Sequence, residues 1–317
     1  MAVVDRASFL IDTMAIRLRP LRDGLLLAGL YLTTKWSYKV ISSVFQSFHV
    51  YVLPRFYPRD FVEEYGEWAV VTGGSRGIGK SYAYQLAKRG LNLILVARNK
   101  TLLDEVAADI HEKYKVQVQV VIADLSRKEN FEKVKESLEG KDIGILVNNA
   151  GVNGDVNYFS RMPQEDFERI IMVNIYALTS LTNMVLPQME AKRKGAIVNV
   201  ASFASLVPHP LISVYSGSKA YVNFFSRAVQ AECASKNITI QCLTTGGVAT
   251  DMMTFDVKDS PGIVDPDQYA ACALRTLGFT TYTCGHWSHS LQANIALPFV
   301  TPFMMFLLLK KIAGLKE

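Results

Sequence analysis

Residues 68–80 read WAVVTGGSRGIGK. A short apolar run, Trp68–Val71, meets a glycine-rich turn, and helix-forming residues continue from Gly77 to about Arg89. In this strand–turn–helix context, glycines let the chain turn tightly and let backbone N–H groups approach a pyrophosphate at the positive end of a helix. The spacing is Gly73-x3-Gly77-x-Gly79, slightly different from the GxGxxG fingerprint. Gly73 permits the turn, while Gly77 and Gly79 permit close contact between helix, sheet and cofactor. Ser75, Arg76 and Ile78 belong to the same candidate cofactor-binding turn. Taken alone, a glycine-rich run carries little weight, because many turns need glycine.

Outward from this turn, strand and helix signals alternate. LNLILVA (91–97) predicts a second strand, followed by a helix from Lys100 to about Tyr114. VQVQVVIA (116–123) predicts a third strand and 129–138 a helix. IGILVN (143–148) is a continuous apolar run, as expected of a strand buried on both faces. One long helix is expected over about 165–193, then the strand AIVNVA (196–201), a helix over roughly 215–235 and the strand ITIQCLT (238–244). Such alternation predicts an α/β fold: a single Rossmann-type, doubly wound parallel sheet with helices on both faces, over about 66–290. Apolar extensions, 1–60 and 291–317, flank it.

The end of the second strand is where dinucleotide-binding folds read the adenosine ribose. An acid there would accept from the 2′-hydroxyl and repel a 2′-phosphate. Here Ala97 and Arg98 occupy those positions, and Arg98 with Arg76 can form charge-assisted bonds to a 2′-phosphate, which favours NADP(H) over NAD. Two ordinary solvated arginines are the alternative. Asp124, after the third strand and beside Leu125, is placed either to meet the adenine edge or to cap the following turn.

A second chemical signal is Tyr215-Ser-Gly-Ser-Lys219. Residues four apart share one helix face, so an ammonium can sit near a phenol and lower its pKa towards neutrality. Ser202 ends an apolar strand and could hold a substrate carbonyl beside Tyr215. Separately these are common patterns, a surface helix pair and a turn serine; their combination with the glycine turn is specific.

TGGSRGIG (72–79), NNAG (148–151), Asn174, Ser202 and Tyr215-x3-Lys219 together resemble the short-chain dehydrogenase/reductase family over about 66–290. YGEWAVVTG, RGLNLILVARN, SVYSGSKAYVNFFSRA and GHWSHSLQ are similar to its branch of 17β-hydroxysteroid dehydrogenase type 12 and very-long-chain 3-oxoacyl-CoA reductases, and the whole chain to the hydroxysteroid dehydrogenase-like subgroup. The resemblance implies that Tyr215 is the general acid in reduction and Lys219 binds the nicotinamide ribose. It implies that Ser202 holds the substrate carbonyl, and that Asn174 supports a water linking Lys219 to solvent. Asn149 and Gly151 would shape the cofactor wall, and Val248 and Thr250 would grip the nicotinamide carboxamide. Vertebrate members of the subgroup can carry phenylalanine in place of the tyrosine and are regarded as inactive; this chain has Tyr215. It also has Thr245-Gly246-Gly247 where the family usually has Pro-Gly, which predicts a less pre-organised loop. An NADPH-dependent reductase of a lipid ketone, a 3-oxoacyl-CoA or a steroid, is therefore expected, with a non-catalytic dinucleotide- or lipid-binding protein as the alternative.

Composition bounds the remaining choices. The chain has 317 residues, half of them apolar and 20% charged, so it can bury a large core and is not of disordered type. A net charge of +5, with its basic residues scattered, gives no reason to expect nucleic acid. Cys233, Cys242, Cys272 and Cys284 form no CxxC pair, which suits a reduced compartment. His286 and His289 lack a third ligand, so no metal is expected, and Trp287 between them reads as a packing residue or interfacial anchor. Asp251–Asp265, with Met252, Met253 and Phe255, reads as a short lid over an apolar ligand.

Mean hydropathy is +0.15, and the apolar excess lies at the ends. GLLLAGLYLTT (24–34) precedes Lys35, Trp36 and Lys39, and a second uncharged run covers Val40–Pro54. Each is shorter than the roughly 20 residues of a spanning helix, although snorkelling lysines would let 24–46 cross. IALPFVTPFMMFLLL (295–309), closed by Lys310 and Lys311, is interrupted by prolines and suits an interfacial hairpin or in-plane helix as well as a span. Packing of both ends on the core is the alternative. Arg6, Arg17, Arg19 and Arg22 suggest a mitochondrial presequence, against which Asp5 and Asp12 weigh. The expected partners are a lipid substrate and an intracellular membrane, endoplasmic reticulum ahead of mitochondrion; a homodimer is compatible with the sequence.

Overall fold

The alternating apolar runs pair side by side as parallel strands. The structure, a computed structural model, describes residues 2–253 and 262–315, with side chains described for Met14 and from Arg17 onward. The chain forms two compact units, residues 1–46 and 47–317. The first lies within helix α1 (Ala2–Tyr51), whose last residues belong to the second; in it Leu25, Leu26, Leu27, Leu30 and Tyr31 are exposed.

In the second unit, α2 (Phe61–Tyr65) leads into β1 (Trp68–Thr72), α3 (Gly77–Ala87), β2 (Asn92–Ala97), α4 (Lys100–Tyr114), β3 (Val118–Ile122), α5 (Asn130–Leu138) and β4 (Ile143–Asn148). There follow α6 (Gln164–Ile171), α7 (Leu178–Lys192), β5 (Gly195–Val200), α8 (Ser213–Cys233), β6 (Ile238–Leu243), α9 (Pro266–Arg275), β7 (Tyr282–Thr283), α10 (Trp287–Ile295) and α11 (Pro302–Ile312). The strands form one seven-stranded parallel sheet in the order β3-β2-β1-β4-β5-β6-β7. This is the doubly wound α/β sheet expected from the sequence.

Strand periodicity divides the core between the two faces. Val71, Leu95, Val147 and Val198 pack with Tyr82 and Leu86 of α3 and Tyr269 of α9. Val70, Ile94, Leu146 and Ile197 point the other way, towards Val134 of α5 and Leu181, Val185 and Met189 of α7. β4 and β5 are buried along their whole length, which is why they read as unbroken apolar runs. Side-chain caps start the helices: Asn99 accepts from Leu102 N at 3.0 Å, and Asp265 from Asp267 N and Gln268 N.

Three features differ from the sequence expectation. The expected single helix at 165–193 runs over 164–192 but carries a π-helical turn, Met172–Ala177, inside it. The third strand is shorter than the apolar run that announced it. β7, only two residues long, had no readable pattern and is recruited by Cys242 and Leu243 of β6. Phe255 of the expected lid lies outside the described residues.

Among the described residues, 164–192 and the bent pair 287–299 and 302–312, at 109°, are long and apolar enough to cross a bilayer. The first of these lies on the sheet and buries Leu181, Val185 and Met189, so its apolarity belongs to the core. Residues 24–46 do not reach that apolar density. Tyr51, at the end of α1, is buried and shares hydrogen bonds with Thr283 Oγ1 (2.6 Å) and Ser290 Oγ (2.7 Å). Tyr51→Phe should strip β7 and α10 of a common partner and cost about 1–3 kcal/mol in urea unfolding. An unchanged midpoint would mean that water replaces the phenol without loss.

Candidate active site

The site begins where β1 and β4 separate. Neighbouring strands whose connections leave in opposite directions open a crevice at their carboxyl ends. Asn149 closes the base of this crevice: its Nδ2 donates to Thr72 O at 2.9 Å, and its backbone N donates to Thr72 Oγ1 at 3.0 Å. Thr72 Oγ1 also accepts from Ala150 N and donates to Val147 O. The sequence reading used Thr72 only as the edge of a motif, yet its hydroxyl joins the two strands.

The glycines follow from this crowding. Gly73 turns with φ +68° and donates its N–H to Val96 O at 2.8 Å. A Cβ on Gly79 would lie 2.3 Å from Gly73 O and 2.4 Å from Asn149 Nδ2, so any side chain would break the turn. One on Gly77 (φ +51°) would lie 2.9 Å from Thr250 Cγ2. The turn and the loop after β6 thus face each other across a narrow crevice, a cradle whose space any β-carbon would take. Ile78 packs on the core, Ser75 is half-buried and Arg76 stands exposed at the start of α3.

At the adenosine end, Arg98 is exposed one residue beyond β2. Arg76 Nη1 pairs with Asp251 at 3.3 Å across the mouth. Asp124 Oδ1 accepts from Ser126 N (2.9 Å) and Ser126 Oγ (2.8 Å), so it caps its own turn. Partial burial opposes its ionisation, but those bonds and the nearby Arg98 and Arg127 outweigh it and lower its pKa. Leu125 is buried beside it.

At the other end, Ser202 follows β5, and Tyr215 and Lys219 lie on the first turns of α8. Ser202, whose Oγ accepts from Ala204 N at 3.2 Å, lies near enough to the Tyr215 phenol to lower its pKa. Lys219 Nζ is buried and donates to Val200 O at 2.8 Å, 5.8 Å from the centre of the Tyr215 ring. Here the structure corrects the electrostatic expectation. Burial raises the phenol pKa, and Ser202 offsets only part of this, so the phenol keeps its proton. The ammonium feels the same burial and its pKa falls to about 8. Desolvation penalises both charged forms and is the leading cause of each shift.

Asn174 sits inside the π turn, a common device for re-aiming one side chain of a helix. Its Oδ1 accepts from Val152 N, and its Nδ2 donates to Val152 O and Ser218 Oγ, all at 2.9 Å. A Cβ on Gly151 would lie 3.4 Å from both Asn174 Oδ1 and Lys219 Nζ, so the glycine leaves these groups open to one space. Beneath the site runs a buried polar chain that the sequence reading missed. Asn148 Nδ2 donates to Thr182 Oγ1 and Asn199 Oδ1, and Asn199 Nδ2 donates to Ser226 Oγ. Amides inside two apolar strands were the available signal. Val248 forms a bridge to Val264, and Thr250 accepts from Met253 N. Among the described residues no three His, Cys, Asp or Glu side chains cluster as a metal site. All four cysteines are buried free thiols.

Crevice, glycine cradle and a Ser–Tyr–Lys cluster define a dinucleotide-dependent oxidoreductase fold. Residues 67–260 match the short chain dehydrogenase family, and the chain belongs to it. It is 41% identical over 298 residues to the human inactive hydroxysteroid dehydrogenase-like protein 1, covering 92% of this chain and 90% of that protein. It is 39% identical over 236 residues to the very-long-chain 3-oxoacyl-CoA reductase of Bos taurus, covering 73% and 75%. A short-chain dehydrogenase from Sphingobium yanoikuyae, solved in complex with NADPH, superposes with a TM-score of 0.62 at 35% identity, covering 66% of this chain and 83% of that one. The cradle and the acid-free end of β2 suit NADP(H), the cofactor form bound by that neighbour.

The buried ammonium of Lys219 has a pH signature. Its folded pKa lies below the ordinary 10.5, so its charge costs stability in full below about pH 8. That cost is relieved as pH rises from about 8 towards 10.5, where the unfolded chain still holds the proton. Lys219→Met removes the cost, so its stability advantage over the parent chain should shrink by about 2 kcal/mol between pH 7 and about 9.5. A gap independent of pH in urea titrations would show that no buried charge is carried there.

Proposed function

We propose that this protein reduces a ketone on a lipid substrate, a 3-oxoacyl-CoA or a steroid, with NADPH as the reductant. The observation that carries the reading is the Ser202–Tyr215–Lys219 cluster at the open end of β5, with the phenol held in its protonated form. A general acid must bring a proton to the nascent alkoxide, and a phenol whose pKa is raised by burial still has one at neutral pH. Ser202, beside that phenol, orients the substrate carbonyl. Lys219, fixed by Val200 O, offers its remaining hydrogens to the ribose and towards Tyr215. Asn174 has both amide hydrogens engaged, so we assign it the bracing of Val152 and Ser218 beside Lys219. Bound NADPH would supply the hydride; Val248 and Thr250 would hold its carboxamide end, and Arg76 and Arg98 its 2′-phosphate. Asp251 must release Arg76 for that contact.

A lipid substrate is supported by the apolar segments on this chain. From Trp287 to Leu315 the chain holds no acidic residue; Phe303, Met304, Leu307 and Leu308 are exposed, and Lys310 and Lys311 close α11. Aromatic and aliphatic side chains followed by lysines suit a membrane interface. Phe306 of α11 packs on Tyr158, ring centroids 6.3 Å apart, in the segment after β4 that borders the site. We propose attachment to an intracellular membrane, with the endoplasmic reticulum ahead of the mitochondrion because Asp5 and Asp12 interrupt the basic N-terminal arm. The second reading, a dinucleotide- or lipid-binding protein without turnover, is favoured by the word "inactive" in the name of the human relative.

Tyr215→Phe distinguishes the two. It removes one hydroxyl, so folding and NADPH affinity should survive while ketone reduction falls about 10²–10⁴-fold. NADPH absorbance against long-chain 3-oxoacyl-CoAs and keto-steroids reads the rate, and cofactor fluorescence reads binding. A parent chain that binds NADPH but reduces nothing across the panel establishes the non-catalytic reading. Attachment is tested by flotation with liposomes: the parent chain should float, and one lacking residues 2–46 should float less. That deletion spares Val50 and Tyr51, which are buried in the second unit.

A further inference from the structure

The loop after β6 contains two consecutive glycines and no proline, Thr245-Gly246-Gly247. Such a segment loses much conformational entropy when ordered, so its shape must be imposed from outside. We propose that His289 of α10 is the positioning residue that imposes it, holding Val248 and Thr250 where the nicotinamide end of the cofactor binds. This inference rests on the NADPH reading above.

The geometry is two-sided. Gly246 N donates to His289 Nδ1 at 3.3 Å, and His289 Nε2 lies 3.0 Å from Gly247 O. One imidazole can serve both only as the neutral tautomer with its proton on Nε2, accepting from one peptide and donating to the next. The environment selects that form: His289 is fully buried, and burial lowers its pKa despite the carbonyls of Gly247, Cys284 and Gly262 around it.

Packing explains the glycine. A Cβ on Gly246 would lie 2.8 Å from both His289 Cδ2 and Phe203 Cε2, so the loop lies flat on two rings. Those rings pack edge to face at 5.8 Å, and Tyr269, itself bonded to Thr245 Oγ1 at 2.7 Å, lies 5.6 Å from the imidazole. Phe203 also donates its N–H to Thr245 O. One turn along α10, Gln292 Nε2 donates to Gly262 O at 3.1 Å, so the same helix face holds the chain again beyond the loop. A helix that the sequence reading treated as bland thus grips the loop at 246–247 and the chain at 262.

The test separates the two halves of the cofactor. 2′,5′-ADP probes the adenosine end, and NADPH probes both ends. His289→Asn keeps an acceptor near Nδ1, and His289→Gln keeps a donor near Nε2; neither serves both peptides. Each should weaken NADPH about three- to tenfold, leaving 2′,5′-ADP affinity and the melting cooperativity unchanged. Unchanged NADPH affinity in both variants overturns the proposal. So does an equal loss of both ligands, which would make His289 a support of the whole fold. In the parent chain, hydrogen exchange should find the Gly246 amide strongly protected before any ligand is added. Exchange at the rate of an open loop overturns the clamp, whatever the variants do. A parent chain that binds 2′,5′-ADP but gains nothing from the nicotinamide half overturns the placement of Val248 and Thr250 instead.

Discussion

The hydrogen bonds between Asn149 and Thr72 are the constraint on which the site depends. β1 and β4 run side by side and then part, and at that point backbone groups lose their ladder partners. Thr72 Oγ1 and the Asn149 amide replace those partners with side-chain bonds, so the crevice opens without unsatisfied peptides at its base. The same bonds leave no room for a side chain at Gly79. The glycine turn is therefore a consequence of strand junction geometry as much as of any ligand.

Rigidity below the site has a similar origin. Amides from β4 and β5 link through Thr182 and Ser226 to the helices on one face of the sheet. Polar groups in a core of low dielectric hold each other firmly, because any displacement leaves one of them desolvated and unpaired. The π turn at Met172–Ala177 adds one residue to a helical turn and directs Asn174 at Val152. Lys219, at the end of this platform, keeps a buried ammonium at a cost, as functional sites commonly do.

Outside the platform, the chain exposes large apolar side chains. α11 carries them within the second unit, and α1 carries them along the first. Tyr51 ends α1 inside the core of the second unit, bonded to β7 and α10.

Most of the sheet was legible in the sequence because a buried parallel strand must be continuously apolar and the glycine turn has a fixed local context. Tyr215 and Lys219 were legible because four residues on a helix fix a common face. Spacing could not tell whether Lys219 lowers the Tyr215 pKa; burial decided that, and it comes from residues remote in sequence. The π turn, which contains Asn174 and its bonds to Val152, had no local pattern to announce it. β7 was too short to have a period. Thr245-Gly246-Gly247 read as a floppy loop, since local chemistry there offers only freedom. In the fold it meets an imidazole more than forty residues away, because only the tertiary structure brings His289 Nδ1 to Gly246 N and His289 Nε2 to Gly247 O.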